Sequence, residues 1–427
     1  MKLQISRFII LSIFQNFVII FPLGSFDTFN STKGKHNADT YSHMIDTIVM
    51  DLEKSTFDIM EPDRFTPSAR GIIEPPFIKM GSGGYLKCIQ NPTNGDKKCG
   101  VYMPRLTLFK NIRQTGYSIF LRVEFSAPKM LFNNNFDELH DNDFDELIYV
   151  ICKRLHDMGV MVETRSLRSA NISSIHFSKN VAFTDYTTSS MIINELQKID
   201  LNKRLDLSRT VFRNNGHALS FHCNSYEVVF YDKLRDIKQA KKSEKRAIET
   251  DNYPQLNILA SEPLPKQFEL LRLEVRLNTK KKIKSILDSI GIEPSLKLSD
   301  LFNKEVSKSV VHHFWEKIFA EIELLSLNQI DHEYLFNLIR MNNPDMGDQK
   351  ILQLIGTIVL IDQIGIRGLR SLLRDKSGQK WRAMKKSLDR IGLPKNGKIR
   401  LITSYARALE SFSTFKLDDM NPNIICS

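Results

Sequence analysis

Between residues 225 and 237 the chain reads SYEVVFYDKLRDI, which sets a phenol, a carboxylate and an amine side by side at Tyr231, Asp232 and Lys233. A tyrosine is a weak nucleophile at neutral pH. A nearby cation stabilises its phenolate and can neutralise a phosphate under attack. Further on, LLRLEVRLN (270–278) threads Glu274 between Arg272 and Arg276. Both stretches read as strands. Alternation puts Leu271, Leu273, Val275 and Leu277 on one face, and Arg272, Glu274, Arg276 and Asn278 on the other. A hairpin over 216–234, turning at Asn224–Ser225, puts Leu219, Phe221, Val228 and Phe230 on its apolar face. Ser220, His222, Glu227, Tyr231 and Lys233 then share the opposite face. Strands buried on one side only leave a second face free for chemistry.

The elements that must position these residues follow the same logic. YSIFLRVEFSA (117–127) alternates, with Ile119, Leu121, Val123 and Phe125 inward and Arg122 and Glu124 outward. SSIHFSKNVAF (173–183) places His176, Ser178 and Asn180 on one face. FDELIYVICKRLHDMG (144–159) has helical spacing and ends at a capping Gly159, and TSSMIINELQKIDL is a second helix. The expected fold class is α+β: a catalytic domain over 44–285, with an antiparallel sheet and packed helices, then an all-helical C-terminal domain over 286–427. Within that tail, 367–400 is rich in Lys and Arg, including Arg382, Lys385 and Lys386, against only Asp375 and Asp389. It reads as a surface for a DNA backbone, or equally as a solvated helical face.

The chain has 427 residues and a formal net charge of +11 with acids spread throughout. That balance suits a folded enzyme facing a polyanion, with nucleic acid ahead of an anionic membrane surface. Five cysteines are scattered, and the Cys88/Cys99 pair lacks partners for a zinc site, so reduced thiols in a cytoplasm are expected. The first residues have a basic start and an apolar run, as an export signal does, but Gln15 and Asn16 interrupt it. Residues 1–43 read as an upstream extension before a functional start at Met44. An exported or membrane-surface protein is the rival reading.

Four phrases in order, LRVEFSAPKMLFNNNFDEL (121–139), IHFSKNV (175–181), VVFYDKL (228–234) and LRLEVRL (271–277), together resemble replication initiators of the filamentous-phage gene II type. They more distantly resemble the trans-acting Rep proteins of rolling-circle plasmids. The resemblance implies a DNA nicking and closing enzyme for rolling-circle replication of a phage or plasmid. Such an enzyme holds a 5′ phosphate on a tyrosine, needs Mg²⁺ or Mn²⁺, and works beside host helicase and polymerase. A phosphotyrosine conserves the bond energy for religation, and a divalent ion acts as a Lewis acid on phosphoryl oxygen.

Many such nickases carry a His-hydrophobic-His triplet, and this chain has none. The implied metal set is therefore carboxylate-rich: Glu124 and Glu274 with His176. Both glutamates can equally be exposed partners of Arg122 and Arg272. Tyr231 is the expected nucleophile, assisted by Lys233, with Arg272 and Arg276 gripping phosphate. Tyr226 shares parity with the core, Tyr149 reads as core of a helix, and Tyr186 sits at a strand end. The alternative function is a non-enzymatic replicon DNA-binding protein.

Overall fold

Period-two alternation obliges each strand to hide one face and leave the other polar, and the strands comply. The computed structural model describes residues 42–43, 45–73, 85–113, 116–184, 187–199, 201, 209–213, 217–240, 269–322, 331–373, 379–389 and 400–416. Residues 1–41, Met44, Tyr186, Cys426 and most of the charged insertion after 240 lie outside them, with the expectations that fall there.

The main sheet comprises β1 (Ile45–Glu53), β2 (Tyr85–Gln90), β3 (Arg105–Arg113), β4 (Gly116–Ser126), β5 (Asn171–Phe183), β6 (Arg209–Arg213), β7 (Ala218–His222), β8 (Tyr226–Asp232) and β9 (Glu269–Leu277). Their spatial order is β6-β7-β8-β9-β5-β1-β4-β3-β2, and every pairing is antiparallel. The hairpin turns where expected, with Leu219 opposite Phe230 and Phe221 opposite Val228.

The longer helices are α1 (Ala127–Phe132), α2 (Phe144–Asp157), α3 (Ser189–Gln197), α4 (Lys233–Ala240), α5 (Lys280–Ser289), α6 (Lys304–Ile322), α7 (His332–Asn342), α8 (Asp348–Leu372), α9 (Gln379–Asp389) and α10 (Arg400–Ser411). Gly159, at φ +75°, terminates α2 as its position suggests. The fold is α+β, with a large antiparallel sheet and a helical C-terminal region.

Helices α5, α6 and α10 lie on the apolar face of the sheet. Trp315 of α6 and Tyr405 of α10 pack their rings against Phe230, and Phe314 packs against Tyr226. Residues Tyr41–Ser427 form one compact unit, and one apolar core runs from the strands into α6, α8 and α10. The division expected near 285 is thus not a break in the fold. The tail helices are amphipathic and the sheet has an apolar face to cover, so burial joins them.

Helix α8 turns by 82° between Asp348–Ile361 and Gln363–Leu372. Gly365 adopts φ +72°, and a Cβ there would meet the Lys198 Cα at 2.9 Å, so glycine is required at this contact. Ile366 N donates to the Lys198 carbonyl at 2.9 Å across the same bend. Among the described residues no single helix is long and apolar enough to cross a membrane.

Candidate active site

The register of β8 against β9 builds the site. Tyr231 lies opposite Arg272, Val229 opposite Glu274, and Glu227 opposite Arg276, all on the polar face. One step along the sheet, β5 sets His176 opposite Arg276 and Ser178 opposite Glu274. The Tyr231 hydroxyl donates to Glu274 Oε2 at 3.1 Å. On the other oxygen, Glu274 Oε1 meets Arg276 Nε at 2.9 Å and His176 Nδ1 at 3.2 Å. Arg276 reaches on to Glu227 at 3.0 Å, and Ser220 of β7 donates to the same Glu227. A polar ladder therefore crosses four strands. An open recess beside it is lined by Tyr231, Ser220, Glu227, Arg276, His217 and Arg235.

Burial by itself raises the Glu274 carboxyl, but Arg276 and His176 override it and hold the group well below the ordinary carboxylate range. Burial and then the Glu274 charge push the Tyr231 phenol well above its ordinary value. The proton thus rests on Tyr231 and the charge on Glu274.

Further buried polar groups lie beyond the tyrosine. Arg272, 1% exposed, donates from Nε to Asn180 Oδ1 at 2.8 Å and from Nη2 to the Asn135 carbonyl, while Nη1 lies 3.5 Å from Asp46. A register shift in β1 between Ile45 and Ile48 accompanies the placement of Asp46 there. Glu138 takes Lys179 Nζ at 2.7 Å, Asn180 N at 2.8 Å and Phe415 N at 2.8 Å. Lys179 also donates to the Ser413 carbonyl at 2.6 Å, so the segment after α10 is clasped to the strand that steadies Arg272.

Several expectations change. Lys233 is not the next residue of the β8 face. It opens α4, and its ammonium, 2% exposed as a residue, lies 5.8 Å from the ring centres of Tyr231 and Phe136. It still adjoins Tyr231, by a helix start rather than by strand parity. Tyr149 is exposed on α2, not core. Tyr226 is buried as its parity implies, and Asp232 is structural, accepting from Arg235 N at 2.9 Å.

Glu124 does not join Glu274. It lies opposite Val49, which lies opposite Ser174 of β5, whereas Glu274 lies opposite Ser178. Three strand spacings and a four-residue offset separate the carboxylates by roughly 20 Å. Arg122, expected as a partner for Glu124, instead pairs with Asp51 at 2.8 Å. His176 does meet Glu274, but Arg276 and Tyr231 occupy the remaining faces of that carboxylate. Among the described residues no three His, Cys, Asp or Glu side chains converge as a metal site. The set Glu124, Glu274 and His176 therefore does not fit a single divalent ion as arranged.

Arg382 and Lys386 are exposed on α9, and Lys385 is half-buried there. Sequence reasoning missed Asp46, Asn135, Glu138 and Lys179. Only Asn180 had a signal, its face shared with His176. No known protein family, curated protein or solved structure matches this chain.

Burial and then the like charge of Arg272 lower the Lys233 ammonium to about 7. Between about pH 7 and 10 the unfolded chain keeps a proton that the folded chain has released, so stability rises with pH by up to about 1.4 kcal/mol per unit. Below about pH 7 both states hold the proton and the burial penalty is complete. Lys233→Met is expected to be more stable than the parent near pH 7 and to lose that slope in urea titrations between about pH 7 and 9. An unchanged slope would place the ammonium in water.

Proposed function

We propose that this chain is a DNA nicking and closing enzyme that initiates rolling-circle replication of a phage or plasmid, with Tyr231 as its nucleophile. The observation that supports this most is a tyrosine hydroxyl at an open recess, hydrogen-bonded to a buried ionised glutamate and flanked by cations. Tyr231 Oη attacks the scissile phosphorus while Glu274 accepts the phenolic proton. As the O–P bond forms, the phenol oxygen becomes acidic, so transfer to a weak carboxylate base becomes feasible only then. The P–O3′ bond breaks, and the 3′ oxygen leaves as a hydroxyl with a proton from water. The 5′ phosphate stays on Tyr231. Arg276 and His176 keep Glu274 ionised and oriented, and Lys233 beneath the ring favours developing negative charge.

The Mg²⁺ or Mn²⁺ that the resemblance implies would polarise the phosphate when bound. It would need a donor set other than Glu124, Glu274 and His176 in this arrangement, and no step above passes through it. The test is incubation with candidate origin single strands, with and without Mg²⁺, followed by mass spectrometry for a peptide–nucleotide adduct at Tyr231. Specific DNA binding without any adduct would favour the non-enzymatic replicon-binding protein instead.

Arg382, Lys385 and Lys386 on α9 belong in this reading to a sequence-independent DNA surface. With six to ten phosphate contacts, affinity falls by about 10³–10⁵ between 50 and 200 mM salt. Reversing these three charges is expected to flatten that slope while single-strand cleavage persists. An unchanged slope would move the DNA surface elsewhere on the chain.

A further inference from the structure

The arginines around Tyr231 differ in how much of their charge is already met. The recess beside that tyrosine exists because β7 puts small side chains there: Ala218 lies opposite Tyr231 and Ser220 opposite Val229. The hollow holds about 210 Å³, ample for a phosphate group. Arg272 is not one of its walls, being buried with Asn180, Asn135 and Asp46. Arg276 is a wall, but it is paired with Glu274 and Glu227. Arg235, exposed on α4, also lines the recess, and among the described residues its guanidinium is paired with no carboxylate. Its Nη1 contacts His217 Nε2 instead. An arginine can only donate, so Nε2 is the acceptor and the proton of the neutral ring sits on Nδ1, 3.6 Å from Asp232 Oδ2. Asp232 also takes the Arg235 amide at 2.9 Å, and its own amide donates to the His217 carbonyl at 3.0 Å. Arg235 is therefore held by backbone and by side chain where β8 becomes α4.

A neutral imidazole orients a guanidinium without cancelling its charge, whereas a carboxylate does both. The carboxylates of the recess have other partners nearby: Glu227 meets Arg276, Asp232 faces His217, and the charge of Asp236 acts on the buried Lys233 and on Tyr231. We infer that Arg235, held by His217, is the phosphate-binding residue of this recess, and that its ligand is the backbone of single-stranded DNA. The planar fork offers its remaining N–H groups to the two non-bridging oxygens of a phosphodiester. The assignment to DNA rests on the proposed function, but the oriented and unneutralised arginine does not.

The probe is a single-stranded oligothymidylate added to the full chain, with Arg235 followed by arylglyoxal modification and peptide mass spectrometry. Oligothymidylate is expected to protect Arg235, and its methylphosphonate counterpart, with the same bases on an uncharged backbone, is not. This readout uses the unsubstituted chain and does not depend on a variant's folding. Arg235→Gln is expected to weaken oligothymidylate binding about 10-fold or more and to lower the salt slope by about 0.7, the share of one single-strand phosphate contact. His217→Gln keeps an acceptor for Arg235 and is expected to bind as the parent does. His217→Phe is expected to lose about 2–10-fold, because the arginine must then be ordered on binding. Protection with no adduct on origin DNA would uphold Arg235 and remove the nickase reading. An adduct at Tyr231 that Arg235→Gln forms at the parental level would keep the nickase and overturn the role of Arg235. No protection by oligothymidylate, equal protection by the methylphosphonate, protection by inorganic phosphate alone, or an unchanged salt slope in Arg235→Gln would each overturn it as well. Equal binding by the two His217 variants would overturn the holding role of His217.

Discussion

Tyr231→Phe is expected to fold as the parent does, to keep DNA affinity, and to lose the covalent adduct by at least about 10³-fold. The ring that covers Lys233 is retained, so the change deletes only Oη and its 3.1 Å hydrogen bond to Glu274. Glu274 remains paired with Arg276 and His176, so the stability cost is about 1–2 kcal/mol. Chemistry has no such reserve, because without Oη there is no atom to carry the phosphate. Two other tyrosines are poorly placed. Tyr226 is packed against Phe314, and Tyr405 is buried among Phe230 and Trp315. An adduct that persists in Tyr231→Phe at the parental level would take the nucleophile off the β8 face altogether.

Glu138→Ala is the structural counterpart, expected to destabilise the chain by about 3–5 kcal/mol in urea unfolding. Its carboxylate is 4% exposed and satisfies three donors: the Lys179 ammonium, the Asn180 amide and the Phe415 amide. Removing it strands a buried lysine and opens the clasp between β5 and the segment after α10. Among the described residues, Lys179 then keeps the Ser413 carbonyl as its hydrogen-bond acceptor. Replacing both partners, as Glu138→Leu with Lys179→Met, should cost less than the single change, because no charge is left unpaired. A loss below about 1 kcal/mol for Glu138→Ala would mean that the clasp does not hold in solution. If the strand is loosened, Arg272 loses the Asn180 side chain that steadies it, and catalysis should fall further than stability alone explains.

How much of this was legible beforehand differs by element. Strand faces were readable, because a two-residue period records which side chains meet the core. Leu271, Leu273, Val275 and Leu277 are buried as alternation requires, and Glu274 and Arg276 share the polar face. The hairpin turn at Asn224–Ser225 and the end of α2 at Gly159 are local events, decided within a few residues. Lys233 was misread for a local reason as well: strand parity stops where Asp232 begins to cap α4, and parity alone does not say where a strand stops.

What alternation cannot encode is which strands become neighbours. Glu124 and Glu274 look equivalent in sequence, two carboxylates flanked by arginine on polar faces. The order β9-β5-β1-β4 and the register of each pair separate them by roughly 20 Å. The same order brings His176 to Glu274 and, through the shift in β1, Asp46 to Arg272. It also closes Glu138 onto Phe415, far along the chain. Local patterns in the chain set the elements, their faces and the presence of a tyrosine beside strand-borne charges. Which charges that tyrosine meets is settled by strand order and helix docking, because contacts between distant segments leave no trace in any local period.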